Sequence, residues 1–197
     1  HMGQWLAFLA SLHDLGKASP AFQAAAPRRH AYLLARLASK GFELPAFVRA
    51  PHHGVLTTAI VAGVLSEPPF ALPQRLAHDL ATVIGGHHGT FPTAWQLGGL
   101  SRAAGRGRWQ EEQQALAGFL AEARSISALA RPSLPAAGRQ AALRVLAGIV
   151  SVADWIASCE EFFPYAGVEV DLGAYVASLP DTARRALERA GWLSRSN

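Results

Sequence analysis

A chain of 197 residues, half of them hydrophobic, is long enough to bury one sizeable core. Its single cysteine, Cys159, excludes an internal disulfide framework and a thiolate zinc cluster, so any metal falls to His and carboxylate, and a reducing compartment, the cytoplasm, is expected. The formal charge of +4 leans towards polyanionic partners. No apolar run approaches the ~20 residues needed to span a bilayer and none reads as a signal peptide, so no membrane partner is expected.

Apolar spacing is helical almost throughout and strand-type alternation is nearly absent, which predicts an all-α fold. Trp5, Leu6, Leu9 and Leu12 recur at three- and four-residue steps and run into His13-Asp14. A second helix is predicted over Arg29–Lys40, stopped by Gly41. A third starts near His53, carries Leu56, Ile60, Val61, Val64 and Leu65, and ends at Glu67-Pro68-Pro69. A fourth opens at Pro73, carries Leu76, Leu80, Val83 and Ile84, and delivers the chain to Gly85-Gly86-His87-His88-Gly89, where glycines permit a sharp turn and close approach to a ligand.

Gly98–Arg108 is glycine-rich and basic and reads as a mobile surface loop. Two long helices follow, Trp109–Leu129 and Gly138–Ser158, separated by the breaker segment Arg131–Pro135. The second presents Leu143, Leu146, Ile149, Val150 and Ala153 as one face. Asp154 comes directly after it, either as a surface carboxylate or at an interior edge where it needs a partner or a cation. A final amphipathic helix covers about Leu172–Ala190. With no internal repeat or second domain, residues 1–197 read as one domain; 165–197 form a helical extension and His1-Met2 a tag remnant.

Histidine and aspartate are paired and clustered: His13-Asp14, His52-His53, His87-His88 and Asp154, each at a helix end or face. Singly, each has an ordinary role as a cap or solvated side chain, and His78-Asp79 shows the same adjacency on an ordinary helix. Together, nitrogen and oxygen donors without thiolates suit Mn, Fe, Co, Ni or Mg better than a structural zinc. One Asp bridging two imidazole-rich sets gives a dinuclear site, with ions ~3.5–4 Å apart, of the kind that supports in-line phosphodiester displacement.

The run HDLGKASPAFQ from His13 to Gln23, H-x-x-x-T from His53 to Thr57, GGHHG from Gly85 to Gly89, and SVADWIAS with the following FFP from Ser151 to Pro164 resemble, in the same order, the HD nuclease domain of the type I CRISPR nuclease-helicase. The resemblance implies a single-domain HD-type helical bundle with the metal site in its centre. It implies that His13, Asp14 and Asp154 hold one divalent ion and that Asp14, His53, His87 and His88 hold a second. Asp14 is then the bridge, and His13, Asp14, Lys17 and Asp154 form the catalytic set. The family cuts the single-stranded DNA displaced when an RNA-guided surveillance complex opens foreign DNA, with a helicase on the same or another chain. No helicase motif occurs here, so a stand-alone subunit and one part of a longer protein both fit. The family pattern has a further metal-binding His upstream of the HD pair. Only twelve residues precede His13, and His1 is tag-like. Either that segment is missing or the first ion is held by three protein ligands plus water.

The expected chemistry is metal-assisted phosphodiester hydrolysis, with Lys17, one turn after His13, neutralising phosphate charge. Arg102, Arg106 and Arg108, near Phe91, Trp95 and Trp109, combine charge and stacking faces suited to single strands, although these aromatics fit a core equally well, as Trp155 and Phe22 do. Thr57 and Ser158 complete the substrate-binding set. Two rival readings stand beside this one: a nucleotide or cyclic-nucleotide phosphohydrolase sharing the core ligands, and a helical interaction module with a degenerate site.

Overall fold

His53 opens the helix around which most of the chain is arranged. The structure, a computed structural model, describes residues 2–25, 31–45, 50–126, 129–134, 137–167 and 170–194. The elements are α1 (Met2–Ser11), a 3-10 turn (Leu15–Lys17), α2 (Pro20–Ala24), α3 (Ala31–Ser39), α4 (His53–Ser66), α5 (Gln74–Gly85), α6 (Ala94–Leu97), α7 (Ser101–Ala104), α8 (Arg108–Ala123), α9 (Arg139–Ala157) and α10 (Leu172–Arg189). No strand occurs among the described residues, as the spacing predicts. They form two compact units, His1–Val150 and Ser151–Asn197, which divide within α9. The expected single domain, with 165–197 as its extension, stays a proposal.

In the first unit α4 is apolar on nearly every side and accordingly central: Leu56, Val61 and Leu65 are wholly buried. Its main neighbour is α5, whose Leu80 and Ile84 join the same core as Phe8 and Leu12 of α1. Phe8 stacks on Phe70 with ring centroids 5.1 Å apart, and the Trp5 indole donates to the Ala130 carbonyl at 3.0 Å. Two glycines set how closely α4 and α5 cross. A Cβ at Gly54 would strike the Gly85 carbonyl, and one at Gly85 would strike the Thr58 hydroxyl and the Gly54 carbonyl. The start of α4 and the end of α5 therefore meet backbone to backbone, which brings His53 and His87 to one place.

Several expectations are corrected. Gly98–Arg108 is not a free loop: it contains α7, with Ala103 buried, and the buried Gln113 amide donates to the Ala18 and Ala104 carbonyls at 2.7 and 2.8 Å. The helix predicted to reach Leu129 stops at Ala123, and Ser125 at φ 53° turns the chain away. On α9 the buried line is Leu143, Leu146 and Val150; Ile149 and Trp155 lie off it and are exposed, so neither is core. By length and composition α9, with mean hydropathy 1.4, is long and apolar enough to cross a membrane, contrary to the sequence reading. Its Leu143, Leu146 and Val150 are packed into the core instead. The short α2, α6 and α7 fall below the length at which periodicity is visible. Positions 29 and 30 of the predicted second helix lie outside the described residues.

In the second unit, Asp171 caps α10 by accepting from the Ala174 N–H at 2.7 Å, and Ala186 is buried. Arg189 pairs with the Glu161 carboxylate and lies 5.2 Å over the Phe162 ring.

The glycine crossing yields a stability test. Gly85→Ala should lower stability by about 1–3 kcal/mol, the usual range for overpacking, in thermal or urea unfolding. Gly118→Ala, in α8 with nothing within 4 Å of the new methyl, should be neutral or raise it by about 0.5–1 kcal/mol.

Candidate metal centre

The His13-Asp14 turn is held from below by α4. The Thr57 hydroxyl donates to the His13 carbonyl at 2.8 Å and accepts from the Gly16 N–H at 3.0 Å. Gly16 is needed there because a Cβ would collide with the His53 carbonyl and the Thr57 nitrogen. The rest of the motif is local scaffolding. Ser19 caps α2 and donates to the Gly16 carbonyl at 2.7 Å, and the Gln23 amide donates to the Lys17 carbonyl at 2.8 Å. The Phe22 ring, partly buried against the core, stands edge-on to His53 at 6.1 Å.

Asp14 is the hub. Its Oδ2 receives Lys17 Nζ at 2.6 Å and lies 3.4 Å from His13 Nε2; its Oδ1 lies 3.5 Å from His53 Nε2. Oδ1 is buried and has no hydrogen-bond partner among the described residues. His53 Nε2 in turn lies 3.3 Å from His87 Nε2 and 3.0 Å from His88 Nε2. One proton on His53 Nε2 can serve a single neighbour at a time, whereas a divalent cation could draw on the lone pairs of Asp14 Oδ1 and the clustered imidazoles together. Donor atoms of Asp14, His53 and His87 lie within 4.8 Å of one another, as do those of His52, His53 and His88. An orphaned buried carboxylate oxygen facing clustered imidazole nitrogens is a donor set that fits a metal ion.

Protonation agrees. Burial by itself would raise the Asp14 carboxyl, but the hydrogen bonds and charges of His13 and Lys17 outweigh it and hold the group well below the usual carboxylate range. Burial lowers His53 to about 4, against the opposing pull of Asp14, and burial also lowers His52 and His87. Neutral imidazoles and an ionised carboxylate are the forms that bind metal.

The other expected residues have surroundings of their own. Thr57 is wholly buried with its hydroxyl committed to the His13-Asp14 turn, which leaves it nothing to offer a substrate; this corrects its expected role. Asp154, in the second unit, is buried and accepts from the Ser158 hydroxyl at 3.1 Å, so Ser158 orients a carboxylate. Arg102 and Arg106 line one cavity of about 460 Å³ with Trp109, and Arg106 donates to Ser101 Oγ at 2.8 Å. Arg108 lies 5.1 Å over the Phe42 ring. Trp109 is buried with its indole donating to the Glu43 carbonyl, so it presents no stacking face, whereas Phe91 and Trp95 are exposed. Asp79, on α5, pairs with Arg139 at 3.2 Å.

A helical scaffold that sets a buried aspartate against convergent histidines defines an HD-type domain. The family model described as "Cas3, HD domain" matches residues 1–163, and the chain belongs to that family. It is 36% identical over 196 residues to the CRISPR-associated endonuclease/helicase Cas3 of Thermus thermophilus, covering 95% of this chain and 20% of that protein. The chain thus spans about a fifth of the length of that relative. Among solved structures, a CRISPR-associated protein superposes with TM-score 0.86 at 34% identity over 98% of this chain and 21% of that one. The Thermus thermophilus cas3 HD domain, crystallised in the presence of Ni2+, superposes with TM-score 0.68 at 31% identity over 98% of this chain and 70% of that one.

Two measurements check the site. Thr57→Val should cost about 1–3 kcal/mol in chemical unfolding, since the His13 carbonyl and Gly16 N–H lose their common partner. For pH, His53 takes its proton at about 4 in the fold and at 6.5 when unfolded. The unfolded chain therefore binds more protons between these values, and stability is lost as pH falls through that window. The lowered carboxyl of Asp14 acts only below 3.8. The unfolding midpoint of metal-stripped protein should thus drop on acidification from pH 7 to pH 5, and less so in His53→Gln, as read by differential scanning calorimetry.

Proposed function

We propose that this domain is a metal-dependent nuclease that hydrolyses phosphodiester bonds of single-stranded DNA in type I CRISPR interference. The observation that carries the reading is the buried, unpartnered Asp14 Oδ1 facing His53, whose Nε2 also meets His87 and His88. Asp14, His53, His87 and His88 would hold one divalent ion, and Asp14, His13 and Asp154 the other. Asp154 enters on the motif resemblance of SVADWIAS. Bound divalent cations polarise a phosphoryl group and make water nucleophilic at neutral pH.

The chain's own residues do the rest. Asp14 would bridge the ions, Lys17 holds its Oδ2 and would add positive charge where phosphate arrives, and Ser158 donates to Asp154. Arg102 and Arg106, sharing a cavity, and the exposed Phe91 and Trp95 suit a backbone and bases of a single strand. The relative crystallised with Ni2+ favours a transition ion, so Mn, Ni, Co and Fe rank with Mg as candidates. Since the curated relatives are nuclease/helicase proteins, we propose a helicase, on the same or another chain, and an RNA-guided surveillance complex as partners in the cytoplasm.

The test is cleavage by metal-stripped protein resupplied with each divalent ion, using single-stranded DNA, RNA, duplex, a deoxynucleoside triphosphate and a cyclic dinucleotide. Single-stranded DNA should be cut preferentially, and Asp14→Ala should bring both cleavage and metal uptake to background. Cleavage retained by Asp14→Ala, or turnover confined to the nucleotides, overturns the reading.

A further inference from the structure

The backbone sorts the histidines of this site into opposite tautomers. His13 Nδ1 lies 2.9 Å from the Ala10 carbonyl oxygen and His87 Nδ1 lies 2.8 Å from that of Ile84. A carbonyl only accepts, so both Nδ1 atoms carry the proton and both Nε2 atoms carry the lone pair that a metal ligand needs. His52 is the reverse. Its Nδ1 accepts from the Gly54 N–H at 3.2 Å, as the cap of α4, and in the neutral ring the proton then sits on Nε2.

His52 nevertheless lies against the cluster, its ring 4.3 Å from that of His53 and 5.3 Å from that of His88. With His88, Thr90 and Gln96 it lines a cavity of about 270 Å³. Gln96 Oε1 already accepts from the Thr93 N–H and hydroxyl at 2.9 and 3.1 Å, so the amide's other polar group is its NH2, a donor. Next to the histidine cluster, a cavity lined by residues that carry an imidazole N–H and an amide NH2 is suited to an acceptor-rich anion.

We propose that His52 is not a metal ligand but a substrate-binding residue, whose Nε2–H donates to a non-bridging oxygen of a phosphate neighbouring the scissile one. This rests on the nuclease reading above. It separates His52 from His53, its neighbour in sequence, by role: one holds the strand and the other holds the ion.

The test uses the full chain and His52→Ser, which keeps the helix cap and removes the donor. In a long-range 1H–15N correlation spectrum of the metal-free protein, the His52 ring should show the Nε2-protonated pattern and the His13 and His87 rings the Nδ1-protonated one. Titration with Mn2+ followed by calorimetry should give His52→Ser the wild-type affinity within about twofold, while His53→Ser loses tenfold or more. With an oligothymidylate substrate and Mn2+, His52→Ser should raise KM about tenfold with kcat nearly unchanged. An Nδ1-protonated His52, or a tenfold loss of Mn2+ affinity in His52→Ser, overturns the proposal by making the residue a ligand. Equal KM in both proteins removes the His52 role alone. A wild-type protein that binds Mn2+ but cuts no strand removes the nuclease reading, and the role with it.

Discussion

One hydroxyl keeps the site in register. Thr57 sits one helical turn after His53 and bonds both the carbonyl of His13 and the N–H of Gly16, so the residues flanking Asp14 hang from the helix that carries the facing imidazole. Asp14 is thereby set against His53 by main-chain geometry, not by its own side-chain freedom. The packing of Gly16 against the His53 carbonyl fixes the remaining distance. Since a buried hydroxyl with both its proton and an acceptor site engaged has no slack, the ligand spacing depends on a contact that contributes no ligand.

The arrangement is electrostatically unfavourable in the absence of a cation. A carboxylate oxygen is buried without a hydrogen-bond partner among the described residues, beside imidazole nitrogens that face one another. Lys17 offsets part of this by holding the other oxygen of Asp14. What remains is an unsatisfied acceptor beside clustered imidazoles, which a cation would satisfy. Ion binding should therefore stabilise the folded state in proportion to the logarithm of ion concentration.

The parts of the molecule legible in its sequence are those governed by short-range rules. Helices α5 and α9 carry a periodic apolar face, α4 is a long apolar run, and proline or glycine marks several of their ends. The His pairs announced themselves by adjacency. What was illegible depends on partners far along the chain. Thr57 looked like a substrate contact because nothing local reveals a bond to His13, 44 residues away. Gly98–Arg108 looked free because its anchor is Gln113, on the next helix. Trp155 is large and apolar, yet its helical angle puts it off the line of Leu143, Leu146 and Val150, and side-chain character alone does not report that angle. Residue type also does not specify which ring nitrogen of a histidine carries the proton, so the different backbone partners of His52 and His87 were not legible.

The contact of Gly54 with Gly85 bears on how this domain can vary. Where two helices meet through side chains, every core substitution changes their spacing by some fraction of an ångström, and a ligand pair carried on them drifts with it. Here α4, which opens at His53, and α5, whose end leads into His87, touch through main chain, whose dimensions are the same in every protein. The apolar residues around Leu56, Leu65 and Ile84 can therefore drift in identity while the distance between the two imidazoles stays put. The separation is set by a stop that cannot change without losing the glycines themselves.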